Sequence, residues 1–426
     1  MTDAVLGIDV GSGSARAGVF TPDGRMLAQA SHPVPIHRPR PGYAQQSSAA
    51  IWDAVCAAVR EAVAAAGPVA IRGLGFDATC SLVLVDAAGV PVSVDPDGAP
   101  DQDVVMWMDH RAGAEAERIN AAAHDVLRFV GGRISLEMQT PKLLWLAEHL
   151  PDRFAAAAAF FDLPDWLTWR ATGSSRRSLC STVCKWTYLG HEHRWDDGFF
   201  RAVGLGTLAD EGFRRLGTDI RPLGDTAGTL SASAAAELGL SPGLPVGTSA
   251  IDAHAGGLGT VGASLDGTVP DEDALLRRLA LVGGTSSCHM AVSREPRFVS
   301  GVWGPYAEAM VPGFWLNEGG QSAVGSLIDH TIATHPAFPT LREDAERRGE
   351  TVYERLNARL DALARGLPFP ALLAEHLHVL PDHHGNRSPR ADAAARGLVS
   401  GLSLSAGPDD LALLYLATVQ GLAYGT

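Results

Sequence analysis

Disulfides, membrane spans and excess positive charge are all missing from this chain. Cysteine is scarce: five residues, at 56, 80, 180, 184 and 288, are scattered over 426. An odd number at wide spacing fits reduced thiols in a cytoplasm better than a disulfide framework. Cys180 and Cys184 have no second Cys or His pair nearby at a zinc-like spacing, so they read as buried or incidental thiols. The most apolar stretch, 154–161, is mainly alanine and is closed off by Asp162 and Pro164. That is well short of the roughly 20 residues that span a bilayer. The N-terminal apolar run has no basic stretch before it and meets Asp9 too early for a signal peptide. Basic charge is in deficit, with 34 Lys and Arg against 48 Asp and Glu and a net charge of −14. Such a surface repels a polyanion. The expectations are a cytoplasmic protein with no membrane segment and no nucleic-acid partner.

What is present is apolar mass. With 46% hydrophobic residues, 426 residues can bury large cores, and the length points to two or three domains. The first residues alternate apolar runs (5–10, 15–20, 26–30) with turn signals at Gly11-Ser12-Gly13-Ser14 and Thr21-Pro22-Asp23-Gly24. This predicts a meander of three strands. A helix follows over 47–65, opened by serine caps and apolar at Ile51, Trp52, Val55, Val59 and Val63. Strands at 70–76 and 82–85 complete an α/β pattern. It returns at 279–292, where two apolar runs flank Gly283-Gly284-Thr285-Ser286. Two α/β halves, each with a phosphate-sized turn, predict a cleft holding nucleotide between them. The linker-like run Gly239-Leu-Ser-Pro-Gly-Leu-Pro245 puts the domain boundary at 246/247, giving domains 1–246 and 247–426. The acidic segment 95–103 lacks the regular spacing and closing Glu of a calcium loop and reads as a surface loop.

Asp9 ends the first apolar run, and Gly11, Ser12, Gly13, Ser14 and Arg16 follow it. Backbone N–H groups of such a turn can hold phosphate, yet a tight hairpin rich in Gly and Ser needs no ligand to explain it. No Gly-Lys-Ser/Thr follows, so it is not a Walker loop; a strand comes next, so it is not a dinucleotide fingerprint. Asp252 stands among small and apolar residues in Gly247-Thr-Ser-Ala-Ile-Asp252-Ala-His-Ala-Gly-Gly257. Poor solvation would raise its basicity toward general-base work, and the same residue also suits a helix N-terminus. His254, two residues on, reads as structural.

Eight ordered strings then carry a resemblance. They are Gly7-Ile-Asp9-Val-Gly11-Ser-Gly-Ser-Ala-Arg16, Trp107-Met-Asp109-His110-Arg111, Gly132-Arg-Ile-Ser-Leu-Glu137-Met-Gln-Thr-Pro141, Ser181-Thr-Val-Cys-Lys185-Trp, Asp252-Ala-His-Ala-Gly256, Gly283-Gly-Thr-Ser286, Asn317-Glu318-Gly-Gly320-Gln321 and Gly385-Asn-Arg-Ser-Pro389. In this order the chain resembles the FGGY carbohydrate kinases and, within them, the ribulokinase branch. The resemblance implies an α/β fold of two ribonuclease H-like (actin/hexokinase-type ATPase) domains around a cleft, sugar on the first, ATP and Mg²⁺ on the second. It implies phosphorylation of a ketopentose, D-ribulose preferred, at the terminal hydroxyl, with Asp252 as base and Asp9 facing Mg²⁺ through water. Gly11, Ser12, Gly13, Ser14 and Arg16 would lie near the transferred phosphate, and Gly283, Gly284, Thr285 and Ser286 would cradle ATP, with Gly320 and Gln321 beside them. Ala78, Thr79, Asp109, His110, Lys185, Asp252 and Glu318 would face the sugar. Ribitol, L-ribulose and xylulose stay open as substrates, and a homodimer is the commonest default.

Relatives in this resemblance continue beyond Thr426. The expectation is a second domain cut short before the glycine-rich segment that holds adenine, with an exposed apolar surface. An inactive sugar-binding remnant is therefore an alternative. An actin-like or chaperone-like ATPase is another, and the pocket-type residues Lys185 and Glu318 speak against it.

Overall fold

The computed structural model describes residues 2–265, 267–390, 392 and 394–426. The chain forms two compact units.

The first unit comprises Met1–Arg278, Ala291–Val299 and Trp303–Asn317. Its main sheet begins with the expected meander: β1 (Thr2–Val10), β2 (Ser14–Phe20) and β3 (Met26–Pro33), each antiparallel to the one before. Alternation of buried and open positions along β1 puts Leu6, Ile8 and Val10 inward. Helix α1 (Ser48–Ala66) starts where predicted, with the Ser47 hydroxyl accepting from Ala50 N–H at 3.3 Å. Its Ile51, Trp52, Val55 and Val59 pack on the sheet in one large core. The strand Val69–Ala78 lies parallel to β1 on the side away from β2. Pro245–Gly247 and Ala250–Ile251 then pair with that strand, also in parallel. A second sheet joins Gln45–Gln46, Val104–Val105, Leu82–Val85 and Ala159–Asp162.

The expected boundary at 246/247 falls inside this unit. The Gly/Pro-rich run around residue 243 brings the chain back into the first sheet, and helix Asp252–Val261 follows directly from it.

The second unit comprises Leu279–Met290, Ser300–Val302 and Glu318–Thr426. The strand Ala280–Gly283 turns back antiparallel into Ser287–Ser293, as read from the sequence. Helices Gly325–Thr334, Phe338–Arg348, Val352–Leu363 and Pro408–Gly425 and a small hairpin, His378–Leu380 with Leu398–Ser400, complete it. Among the described residues, small apolar clusters form around Leu341 and Leu356, around Leu327 and Leu422, and around Val379 and Ala417. Phe369, Leu398, Leu402, Leu404 and Tyr424 are exposed. Among the described residues no helix is long and apolar enough to cross a membrane.

Candidate active site

Strand register builds the site. Because β1 and Val69–Ala78 run parallel, Asp9 stands opposite Asp77 and Val10 opposite Ala78. On the far side of the same strand, Ala250 pairs with Asp77 and Ile251 with Ala78, which delivers Asp252 at the strand ends. Three carboxyls thus meet at one edge. Asp77 was not foreseen as a functional residue. The signal was the one that marked Asp9, an acid closing an apolar strand, but which strands align is not written in either segment alone.

Burial sets the electrostatics of this cluster. Asp77 is raised to about 9, first by burial and then by the charges of Asp9 and Asp252. Asp9 is raised by burial against the pull of the Arg16 guanidinium, which it meets at 2.7 Å. Asp9 Oδ1 is buried without an N–H or O–H donor, while a hydrogen bond joins the Asp9 and Asp77 carboxyls. Both observations agree if the pair shares one proton, carried by Asp77. Asp252 is raised to about 6, by burial first and by Asp9. Opposing this, its Oδ1 accepts from Ala253 N–H at 2.7 Å, and the Lys185 ammonium lies close enough to favour the anion.

Lys185 ends the helix Leu179–Lys185, 5% exposed, with Nζ 5.1 Å from the centre of the Trp303 ring. The structure therefore brings Asp9, Arg16, Asp252 and Lys185 together and adds Asp77. Ala78 and Thr79 follow Asp77 directly; both are buried, and Thr79 N–H donates to Val10 O at 3.0 Å. His254 is buried with Nε2 3.4 Å from Cys184 Sγ, in keeping with a structural role.

The turn after Asp9 is closed by Gly11 N–H donating to Ser14 O at 3.0 Å. Ser12 is held from two sides: Trp107 Nε1 donates to its hydroxyl at 2.9 Å, and Gln46 Nε2 donates to its carbonyl at 2.8 Å. Gly13 projects into open space, where an added Cβ meets nothing within 4 Å. Trp107 is placed by its neighbours. Lys142, fully buried, donates from Nζ to Met106 O at 3.0 Å. Asp109 is also fully buried; its oxygens accept from Arg111 Nε and Nη2, both at 2.8 Å, and from Ala44 N–H at 2.7 Å. The Asp109 carboxylate, expected at the sugar, is thus committed to fixing its own loop, and His110 beside it is exposed.

In the second unit the turn at Gly283, Gly284, Thr285 and Ser286 has Gly284 N–H donating to Ser286 O at 2.8 Å. Val324 and Gly325 N–H donate at 2.9 Å to Thr285 O and Gly284 O, so the helix Gly325–Thr334 starts on this turn. A Cβ at Gly325 would lie 2.7 Å from Gly284 O, which explains a glycine there. Glu318 is buried on the strand Trp315–Gln321. Gly320 passes so near Ser287 O that a Cβ would stand 2.1 Å from it. Gln321 Nε2 donates to Leu422 O at 2.8 Å and to the Thr426 hydroxyl at 3.0 Å, an engagement with the C-terminal helix that the sequence did not suggest.

Two α/β units, one with an acid cluster beside a glycine turn and one with a neutral glycine turn, define a two-domain sugar kinase fold. The chain belongs to the FGGY family of carbohydrate kinases: the family's N-terminal domain matches residues 4–259 and its C-terminal domain residues 279–426. It is 52% identical over 425 residues to an FGGY carbohydrate kinase domain-containing protein of Danio rerio, covering 99% of this chain and 78% of that one. It is 41% identical over 448 residues to a D-ribulokinase of Saccharomyces cerevisiae, covering 99% of this chain and 63% of the relative. Among solved structures, gluconate kinase from Lactobacillus acidophilus superposes with a TM-score of 0.77 at 18% identity, over 100% of this chain and 77% of that one, a likeness of fold. The protein is thus a carbohydrate kinase, and sugar kinases of this fold use ATP.

Proposed function

We propose that this kinase transfers the γ-phosphoryl group of ATP to the terminal hydroxyl of a ketopentose, D-ribulose preferred, giving the 5-phosphate and ADP. The observation that carries the reading is the Asp252 carboxyl, raised to about 6 beside the Lys185 ammonium and Asp9. A base of that strength is ionised at neutral pH, yet it is a better proton acceptor than a solvated aspartate. Asp252 takes the hydroxyl proton as the sugar oxygen bonds to the γ-phosphorus; the bond to the β–γ bridging oxygen breaks, and ADP leaves with that electron pair. Lys185, Thr79 and the backbone at Ala78 orient the sugar. Ser12, held by Trp107 and Gln46, keeps its hydroxyl hydrogen for an acceptor, which suits a phosphate oxygen. Arg16 trades Asp9 for phosphate, and the turn at Gly283 to Ser286 is by itself a backbone site for ATP phosphate.

The carboxyl oxygens of Asp9 and Asp77 fit Mg²⁺, a hard cation that takes oxygen ligands, and Asp9 Oδ1, buried with no N–H donor, would exchange the proton shared with Asp77 for the cation. When bound there, Mg²⁺ supplies charge neutralisation for the phosphates. The preference for D-ribulose draws support from the 41% identity to the yeast D-ribulokinase. The test is ADP release with Mg-ATP across D-ribulose, L-ribulose, xylulose, ribitol, arabinitol and glycerol. The highest kcat/KM is expected with D-ribulose; a better substrate among the others would replace it, and no turnover with any would defeat the reading.

A further inference from the structure

The segments carrying Asp252 and Lys185 are both short. Ala250–Ile251 is a two-residue strand and Leu179–Lys185 a seven-residue helix, too short to hold its own conformation. Something outside them must fix their spacing. Asp165, in the first turn of the helix Leu163–Thr172, is 2% exposed and reaches both. Its Oδ1 accepts from Ser249 Oγ at 3.0 Å and from Ser178 N–H at 2.8 Å, and its Oδ2 accepts from Ser181 Oγ at 2.6 Å. Ser249 immediately precedes Ala250–Ile251 and stands three residues before Asp252. Ser178 is the N-cap of the Lys185 helix, and Ser181 lies one turn before Lys185 on it. Both serine hydroxyls are buried with this carboxylate. The far end of the same helix is tied to the same region: Trp186 Nε1 donates to Asp162 Oδ2 at 2.9 Å.

We propose that Asp165 is a positioning residue for phosphoryl transfer, a buried carboxylate that sets the distance between the Asp252 segment and the Lys185 helix. The inference rests on Asp252 as base and Lys185 as sugar contact. A packing role alone would not require one carboxylate to take donors from these two segments, each within four residues of a group that meets the sugar. Burial raises Asp165, opposed by the Arg177 guanidinium and by these same donors; three hydrogen bonds converging on one buried carboxyl make the link stiff. A displacement of about 1 Å between hydroxyl and base costs on the order of 100-fold in rate.

The test uses Asp165→Asn, Ser249→Ala and Ser181→Ala in the full chain. For each, the measurements are the thermal midpoint, kcat and sugar KM per folded molecule, and amide hydrogen exchange over 179–185 and 250–261. Asp165→Asn is expected to lower kcat about 10- to 100-fold and to raise sugar KM. Ser249→Ala should act mainly on kcat and Ser181→Ala mainly on KM. Combining Asp165→Asn with Ser249→Ala should add little, because the two remove the same link. In exchange, Asp165→Asn loosens both segments, and each serine variant loosens its own. Thr168→Ala is the control: on the same helix it loses a buried bond to Pro164 O (3.1 Å) and should lower the midpoint while leaving kcat and KM unchanged. Wild-type kinetics in both serine variants would overturn the proposal, as would an Asp165→Asn that merely repeats Thr168→Ala. Should Asp165→Asn not fold, the serine variants decide. If the wild-type chain phosphorylates no polyol, the functional reading fails by itself, and the exchange data still judge the link.

Discussion

The two glycine turns make a useful pair. Around Gly11 to Ser14 the setting is charged: Asp9, Asp77, Asp252, Arg16 and Lys185 converge, and side chains from distant segments, Trp107 and Gln46, hold Ser12. The turn at Gly283 to Ser286 has no charged residue of its own and is buttressed by backbone, through Val324 and Gly325 N–H. In the proposed reaction the first turn serves proton and charge handling, and the second offers its backbone to phosphate. The difference teaches that the side chains proposed for proton transfer all stand in the first unit, while the turn of the second unit carries no charged residue.

The largest expected effect breaks the charged side. Asp252→Asn should lower kcat by roughly 10²- to 10⁴-fold with sugar KM within a few-fold, measured by coupled ADP release; an active mutant removes Asp252 from the mechanism. The same residue predicts a pH limb. Because Asp252 works as the anion, kcat/KM should fall as pH drops through about 6, and this limb should be absent from the residual activity of Asp252→Asn.

Next in size is a pair of matched substitutions, Gly13→Ala and Gly284→Ala. An added Cβ meets nothing within 4 Å at Gly13 and no atom nearer than 4.0 Å at Gly284, so both variants should fold normally. Each places a methyl group where phosphate is proposed to lie, and each should raise KM for ATP about tenfold, close to the worth of one charge-assisted hydrogen bond. An unchanged KM for ATP in either variant would remove that turn from nucleotide binding.

Asp77 gives a stability test with a definite sign. Its folded pKa, about 9, lies above the 3.8 of a free aspartate, so folding takes up a proton between those values and stability declines as pH rises through that window. Asp77→Asn removes this cost. Thermal melts should show the variant more stable than the wild type at pH 7.5, by about 2–4 °C for each ~1 kcal/mol recovered, with the gain gone below pH 4. Equal midpoints at pH 7.5 would mean that Asp77 does not carry the shared proton. The smallest effect belongs to the neutral side: Gln321→Leu loses the bonds to Leu422 and Thr426 and should cost about 1 kcal/mol with unchanged sugar KM.

Much of the first unit was legible because its signals are local. The meander followed from alternation and turn residues, α1 from its serine cap and apolar spacing, and Asp9 and Asp252 from their isolation among small apolar neighbours. What was not legible depends on pairing between distant segments. Asp77 becomes a partner of Asp9 through register, and Asp109 becomes structural through its neighbour Arg111 together with Ala44, 65 residues away, the second of which the WMDHR string does not reveal. Pro245–Gly247 reads as a linker because a three-residue strand containing Pro and Gly looks like a loop; the first sheet recruits it through the exposed edge of Val69–Ala78. Asp165 gave no sign at all, since its importance lies in joining residues 71 positions apart, Ser178 and Ser249.

The burial of Lys142 and Lys185 has a practical consequence. They are the chain's two lysines, so an endoproteinase that cuts after lysine has two targets, 1% and 5% exposed. The folded protein should resist it, and each cut should record an opening of the first unit, while the arginine-covered exterior stays silent. If sugar is held by Lys185 as proposed, adding it should slow cleavage after residue 185 more than after 142. Limited proteolysis can therefore rank candidate substrates by protection, before any turnover is measured.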